Sequence, residues 1–358
     1  DAPPLVLQQV NLLIESSFSR HRFALRALPP AGLATPLDVR GDLQGSSFDD
    51  ISDWNGQLYT QLDYTDVTEW RPWLDLPGEF SRGRGALRGW LGIEDGRVAQ
   101  ITADLDLRDA VTRLSADVPE LVLLELRGRA ACQKMADGFE ISTRRLAMRT
   151  QSGIELRPTD LYFRTVGADQ SAAGEIRANQ LQLEAIAGLA RYMPLEAGLR
   201  ARLDAYAPSG KVSNLDARWQ GVLEKPDGYR IKGHFDNLGL RQVGGMPGFS
   251  GLTVDVDGSD AGGRLSINAR QLKVDAPGMT REPLSFATLT GQAGWQNQRG
   301  ELSINVDNIA VANDDLAGNL YGSYQTRAGT RGMLDLTAKL TRGDIRRAAR
   351  YTPLVALH

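Results

Sequence analysis

A period of two in the apolar residues restricts what this chain can become more than any other feature. In "ELSINVDN" (301–308), Leu302, Ile304 and Val306 fall on one parity and Ser303, Asn305 and Asp307 on the other. The same spacing groups Val6, Val10, Leu12 and Ile14, then Phe23 with Leu25, and Phe139 with Ile141. It also groups Leu252, Val254 and Val256, then Leu265 with Ile267, and Leu334 and Leu336 with Ala338. Successive side chains of a strand point to opposite faces, so each run specifies a strand with one dry and one wet face. Thirty-eight glycines, many in Asp-Gly and Gly-Gly pairs, punctuate the runs. Those are the residues that tight hairpin turns require. Roughly twenty strand candidates of about 5–8 residues result, and the expected fold is mainly β and antiparallel.

Two stretches leave this pattern. "QLEAIAGLARYM" (182–193) has helical spacing and is stopped by Pro194, and "RGDIRRAARYT" (342–352) starts at Asp344 as an N-cap and is stopped by Pro353. Ala190, Arg191, Tyr192, Pro194 and Leu195 recur in them as Ala349, Arg350, Tyr351, Pro353 and Leu354. Working backwards, Leu37, Asp38 and Arg40 match Leu215, Asp216 and Arg218; Tyr59 matches Tyr229 and Asp66 matches Asp236. The chain therefore reads as two divergent copies of a unit of about 160 residues, 1–200 and 201–358, each closed by a short helix. Segment 41–56 is expected to be one of the longer loops of the first copy. Alternation alone suits two architectures. The dry faces can close on each other in sandwiches, or they can line one long, twisted, open sheet.

The side-chain inventory excludes several chemistries. Lys+Arg number 41 against Asp+Glu 44, a net charge of −3, with both signs spread along the chain. No basic footprint for nucleic acid results. His21, His234, His358 and Cys132 stand too far apart in sequence for a zinc or Cys–His motif. Asp255, Asp257 and Asp260 are the best candidates for calcium, but the distal Glu of an EF-hand loop is missing and a polar hairpin tip explains them. No metal, cofactor or catalytic residue is assigned. The six tryptophans suit core or interface packing better than a sugar platform, which needs convergent polar groups.

Longer stretches carry a family resemblance. "LPPAGLATPLDVRGDLQG" (28–45), "WRPWLDLPGEFSRGRGALRGWLGIEDGRVAQITADLDLRD" (70–109), "PSGKVSNLDARWQG" (208–221) and the run from Tyr229 to Pro277 resemble the central part of YhdP proteins. These belong to the AsmA-like group of Gram-negative envelope proteins, which includes TamB. The most specific elements are Pro208-x-Gly210, Trp219, Phe235-x-Asn237-Leu238-Gly239, Pro247-Gly248-Phe249 and Arg350-Tyr351-x-Pro353.

The resemblance implies a periplasmic slice of a larger protein, anchored in the inner membrane by a segment outside this chain. It also implies a β-sheet curled into an open apolar groove that carries phospholipids toward the outer membrane, with no enzyme motif. The expected groove wall is the set of dry residues Val10, Leu12, Ile14, Phe23, Leu25, Phe139, Ile141, Leu252, Val254, Val256, Leu265, Ile267, Leu302, Ile304, Val306, Leu334 and Leu336. Two other functions stay open: an envelope scaffold whose strands serve only as a rod, and a carbohydrate-binding β-protein.

Overall fold

The computed structural model describes residues 3–30, 32–34, 36–46, 52–73, 79–167, 171–223, 225–277, 282–298, 300–326, 332–344 and 346–347. Among them the chain is mainly β, with eighteen strands, two α-helices and a short 3-10 turn. It divides into two compact units, Asp1–Ala168 with Gly188–Leu195, and Asp169–Ala187 with Glu196–His358. No helix among the described residues is long and apolar enough to cross a membrane.

The first unit is a meander of nine strands: β1 (Gln8–Ser17), β2 (Arg20–Leu28), β3 (Leu37–Gln44), β4 (Asn55–Asp66), β5 (Glu79–Glu94), β6 (Arg97–Arg113), β7 (Leu121–Met135), β8 (Gly138–Thr150) and β9 (Glu155–Val166). Each pairs antiparallel with its sequence neighbours. The second unit repeats the scheme with β10 (Ala173–Gln182), β11 (Ser209–Val222), β12 (Lys225–Leu240), β13 (Gly248–Ser259), β14 (Gly262–Asp275), β15 (Leu284–Gln298), β16 (Glu301–Ala312), β17 (Leu316–Gln325) and β18 (Met333–Gly343). Among the described residues the last strand of neither unit pairs back to its first, so neither sheet is closed into a barrel.

Several local expectations are corrected. The strands run from 8 residues in β3 to 17 in β6, longer than the apolar runs suggest. Glycines such as Gly89 and Gly92, which punctuate those runs, lie inside strand β5. Val6 precedes the first strand, which starts at Gln8. Of the loop expected over 41–56, residues 41–44 are the end of β3 and residues 55 and 56 the start of β4. The first helix is shorter than its periodic pattern: α1 spans Leu183–Ala190, and Tyr192 and Met193 follow in turns whose amides bond the Leu189 and Ala190 carbonyls. A second helix, α2 (Ala197–Tyr206), follows Pro194 and ends at Ala207 in the left-handed region, with φ 41°. Its signal is the Leu199, Leu203, Tyr206 spacing, which is helical. Of the helix expected over 342–352, residues 342 and 343 belong to β18 and most of the remainder lies outside the described residues. Asp344 does accept the Arg346 amide proton at 3.0 Å, the bond an N-cap makes.

The strands are not straight. Their pairing slips at Leu62/Thr65, Arg82/Arg84, Arg127/Arg129 and Thr143/Leu146 in the first unit. In the second it slips at Ser213/Asp216, Phe235/Leu238, Ser250/Val254 and Val306/Ile309. Asn214, Asn237 and Gln271 near these slips have φ of 52°, 53° and 55°. A bulge bends its strand and increases its twist, so a row of them creases a sheet along one line. Beyond that line, toward the ends where β3, β5, β7 and β9 begin, loops cover the dry face of the first unit.

One cover is a cluster of Leu33, Leu37, Leu62 and Trp70, with Trp73 and Leu87 against it. The Trp70 indole donates to Thr65 Oγ1 at 2.8 Å, and Thr65 Oγ1 donates to the Leu33 carbonyl at 3.1 Å. A second cluster joins Ala110, Leu121, Leu123 and Leu189, with Tyr192 and Ile154 packed on it. The first copy of the recurrent Ala-Arg-Tyr stretch is therefore packing: Ala190 is buried and Tyr192 rests on the strand ends.

Candidate functional site

Directly opposed residues of an antiparallel pair lie on the same face of the sheet. Following partners from strand to strand therefore traces each face. In the first unit one line crosses all nine strands: Ile14, Phe23, Gly41, Leu58, Leu91, Ile101, Cys132, Ile141 and Phe163. Every member is apolar. In the second unit the corresponding line is Ile176, Ala217, Ile231, Gly258, Gly263, Trp295, Ile304, Tyr324 and Leu334. Beside it run Gly233, Val256, Leu265, Ala293, Val306, Gly322 and Leu336. Each unit thus presents a face crossed by an unbroken apolar line.

The residues expected to form a groove wall fall on these faces as follows. Leu12, Ile14, Phe23, Leu25, Phe139 and Ile141 share the dry face of the first unit. Val10 sits at the bulge between Gln8 and Asn11. Val254, Val256, Leu265, Ile267, Ile304, Val306, Leu334 and Leu336 share that of the second through direct pairing. Leu252 and Leu302 join it two residues away on their own strands.

Their accessibility varies. On edge strands β1 and β18 every residue is exposed, with Ile14 at 62% and Leu336 at 55%. In the interior of the sheet Leu265, Ile267, Ile304 and Val306 are half-buried, whereas Val254 is only 6% exposed. A sandwich would bury all of them under a second layer. Half-burial across a run of strands instead leaves an apolar surface open.

The opposite faces are charged. A line in the first unit runs Arg26, Asp38, Gln61, Arg88, Asp104, Arg129 and Arg144. Arg129 binds Asp104 at 2.6 Å, Arg40 binds Asp38 at 2.8 Å and Arg26 binds Asp38 at 3.0 Å. The Arg40 hydrogen bond, helped by Arg26, holds the Asp38 carboxyl below the usual carboxylate range against a burial cost that raises it. A carboxyl whose folded pKa is lowered stabilises the fold above its unfolded value of about 3.9. That contribution is lost as pH falls through the lowered folded value. Asp38→Asn should therefore flatten the acid limb: between about pH 5 and about pH 2 its melting temperature should fall less steeply than that of the parent chain.

On the second unit's wet face, an open depression of about 550 Å³ is bordered by Lys232, His234, Asp255, Asp257, Arg264 and Ser266. Its charges answer one another: His234 lies 2.8 Å from Asp255, and Lys232 lies 3.3 Å from Asp257. The calcium candidates Asp255 and Asp257 are engaged in these pairs, and Asp260, at the β13–β14 hairpin, accepts the Tyr229 amide proton. Among the described residues no group of three metal-ligating side chains converges.

The tryptophans stand in different settings. Trp70 is buried, Arg129 sits 5.1 Å over the Trp90 ring, and Trp295 lies on the dry face. Sequence reasoning missed Leu58, Leu91, Ile101 and Phe163 as dry-face residues. Glycines and alanines interrupt their runs, as in Leu87, Gly89, Leu91, so the alternation showed but the large side chains were sparse.

Comparison with known families matches residues 4–358 to the YhdP protein. No curated protein and no solved structure matched the chain significantly. The family match spans nearly the whole chain and agrees with an antiparallel, mainly β structure that is dry on one face and charged on the other. The chain belongs to the YhdP family.

Proposed function

We propose that this chain is a non-enzymatic part of a phospholipid conduit in the Gram-negative envelope, its dry faces shielding acyl chains on their way between the inner and outer membranes. The observation that carries this reading is the unbroken apolar line across nine strands in each unit, left accessible while the opposite face is charged. Moving a sixteen-carbon chain through water costs about 12 kcal/mol at ~0.8 kcal/mol per CH₂. A carrier therefore has to keep the chain dry throughout, and a face of similar aliphatic rows offers many near-equivalent seats and no deep well.

Native mass spectrometry of the purified chain tests the proposal. Phospholipid masses should accompany the protein, or appear on adding lipid. A chain that emerges lipid-free and takes up none would overturn it.

A further inference from the structure

The dry face of the second unit is divided lengthwise. At the side of the tight hairpins, which join β11 to β12, β13 to β14 and β15 to β16, it carries Trp219, Tyr229, Trp295 and Tyr324. At the other side it carries Phe235, Phe249 and Phe286, opposed to Val254, Val274 and Leu272. Aromatic rings with a polar tip thus keep to one side and rings without one to the other. The two Trp rings lie flat on the sheet, because the floor beneath them is glycine. A Cβ on Gly174 would fall 2.0 Å from the Trp219 ring, and one on Gly258 would fall 2.4 Å from Trp295.

Burial deepens away from the hairpins, where Trp219, Trp295 and Tyr324 are half-buried. Leu181, Val212, Ala269, Leu272 and Val311, away from the hairpins, are buried. Tyr229 at the hairpin side is 42% exposed. Between the two zones stand the aliphatic rows, where Leu265, Ile267, Ile304 and Val306 are half-buried and Val254 is buried.

Trp and Tyr concentrate where one end of a ring is apolar and the other wet, as at the headgroup level of membranes. From Trp295 along β15 to Leu289, whose partners are Ala269 and Val311, is six residues, or about 20 Å at ~3.3 Å per residue. The acyl region of one leaflet is about 15 Å, half of the ~30 Å hydrocarbon core. A face with a wet aromatic border, an aliphatic middle of this length and a buried far end has the polarity of a single amphipathic lipid.

Resting on the conduit reading, we infer that a phospholipid on the second unit lies along the strands with a fixed polarity. Its headgroup stands at the Trp219–Tyr229–Trp295–Tyr324 border and its methyl ends point toward Ala269 and Val311.

Photo-crosslinking of the whole chain with two phospholipid probes tests this polarity, one carrying a diazirine on the headgroup amine and one at the terminal carbon of an acyl chain. The headgroup probe should label peptides around Trp219–Tyr229, Asp260–Gly263 and Trp295–Glu301, with label lost from 269–272 and 309–311. The chain-end probe should give the reverse. In the double variant Trp219→Leu and Tyr229→Leu, which keeps the apolar character, the headgroup label should lose its preference for this border. Reversed or identical maps for the two probes overturn the polarity alone. Absence of label from the dry face with either probe overturns the conduit reading with it.

Discussion

Aspartate at Ile304 and Leu336 together should lower phospholipid occupancy of the second unit by about 100-fold, corresponding to roughly 3 kcal/mol. Both residues lie on the dry face, Ile304 between Trp295 and Tyr324, and Leu336 opposite Gly322 of β17. A carboxylate there faces acyl chains instead of water, and burying it without a partner is costly. Leu336 is on an exposed edge strand and Ile304 is half-buried, so both can change without opening a packed core. The matched control uses their wet-face neighbours, Asn305→Asp with Thr337→Asp, one residue along each strand. Its occupancy should equal that of the parent chain. Native mass spectrometry reads both pairs, with circular dichroism to show that each is folded. If the dry-face pair is folded and binds lipid like the control, the conduit reading is wrong. Val254 is a poor place for this test despite its position on the same face. At 6% exposure an aspartate there would unfold the sheet, and lost binding would report stability.

The second large effect concerns stability. Trp70→Ala should cost about 3–5 kcal/mol, the range for removing a buried large aromatic side chain. The ring fills the cover over Leu37 and Leu62 and its indole bonds Thr65, so the variant loses both apolar contacts and that hydrogen bond. For a unit of this size the melting temperature should fall on the order of 10 °C, read by calorimetry. Trp70→Phe keeps most of the packing and loses the N–H donor, so its loss should be nearer ~1 kcal/mol. An unchanged melting temperature for Trp70→Ala would mean that the cover over the strand ends contributes nothing to the fold.

Strand content was legible because it is local. The parity of Leu302, Ile304 and Val306 needs no partner to be read, and β16 contains all three on one face. The helix at 183 was legible from its spacing and its proline stop, although its last turn is irregular. The sequence of α2 is harder to read, because Leu199, Leu203 and Tyr206 are few apolar positions among arginines and small residues. The dry face was only partly legible. Leu58 and Ile101 belong to it because they oppose Leu91 and Cys132, and pairing of that kind joins residues whose separation no local pattern encodes. Gly258 and Gly263 read as turn residues, yet they form the floor on which Trp295 lies.

By itself the sequence determined that this chain makes antiparallel strands, each with an apolar and a polar side, because alternation is a property of consecutive residues. The tertiary structure decided which of those sides join and how far they stay open. Register places Ile14 in line with Phe163 across nine strands, and packing sets Trp70 and Leu189 over strand ends of the first unit, on Leu37 and Leu62 and on Leu121 and Leu123. Exposure then follows from neighbours: Val254 and Leu336 share a parity pattern and a face, but one lies within the sheet and the other on its edge.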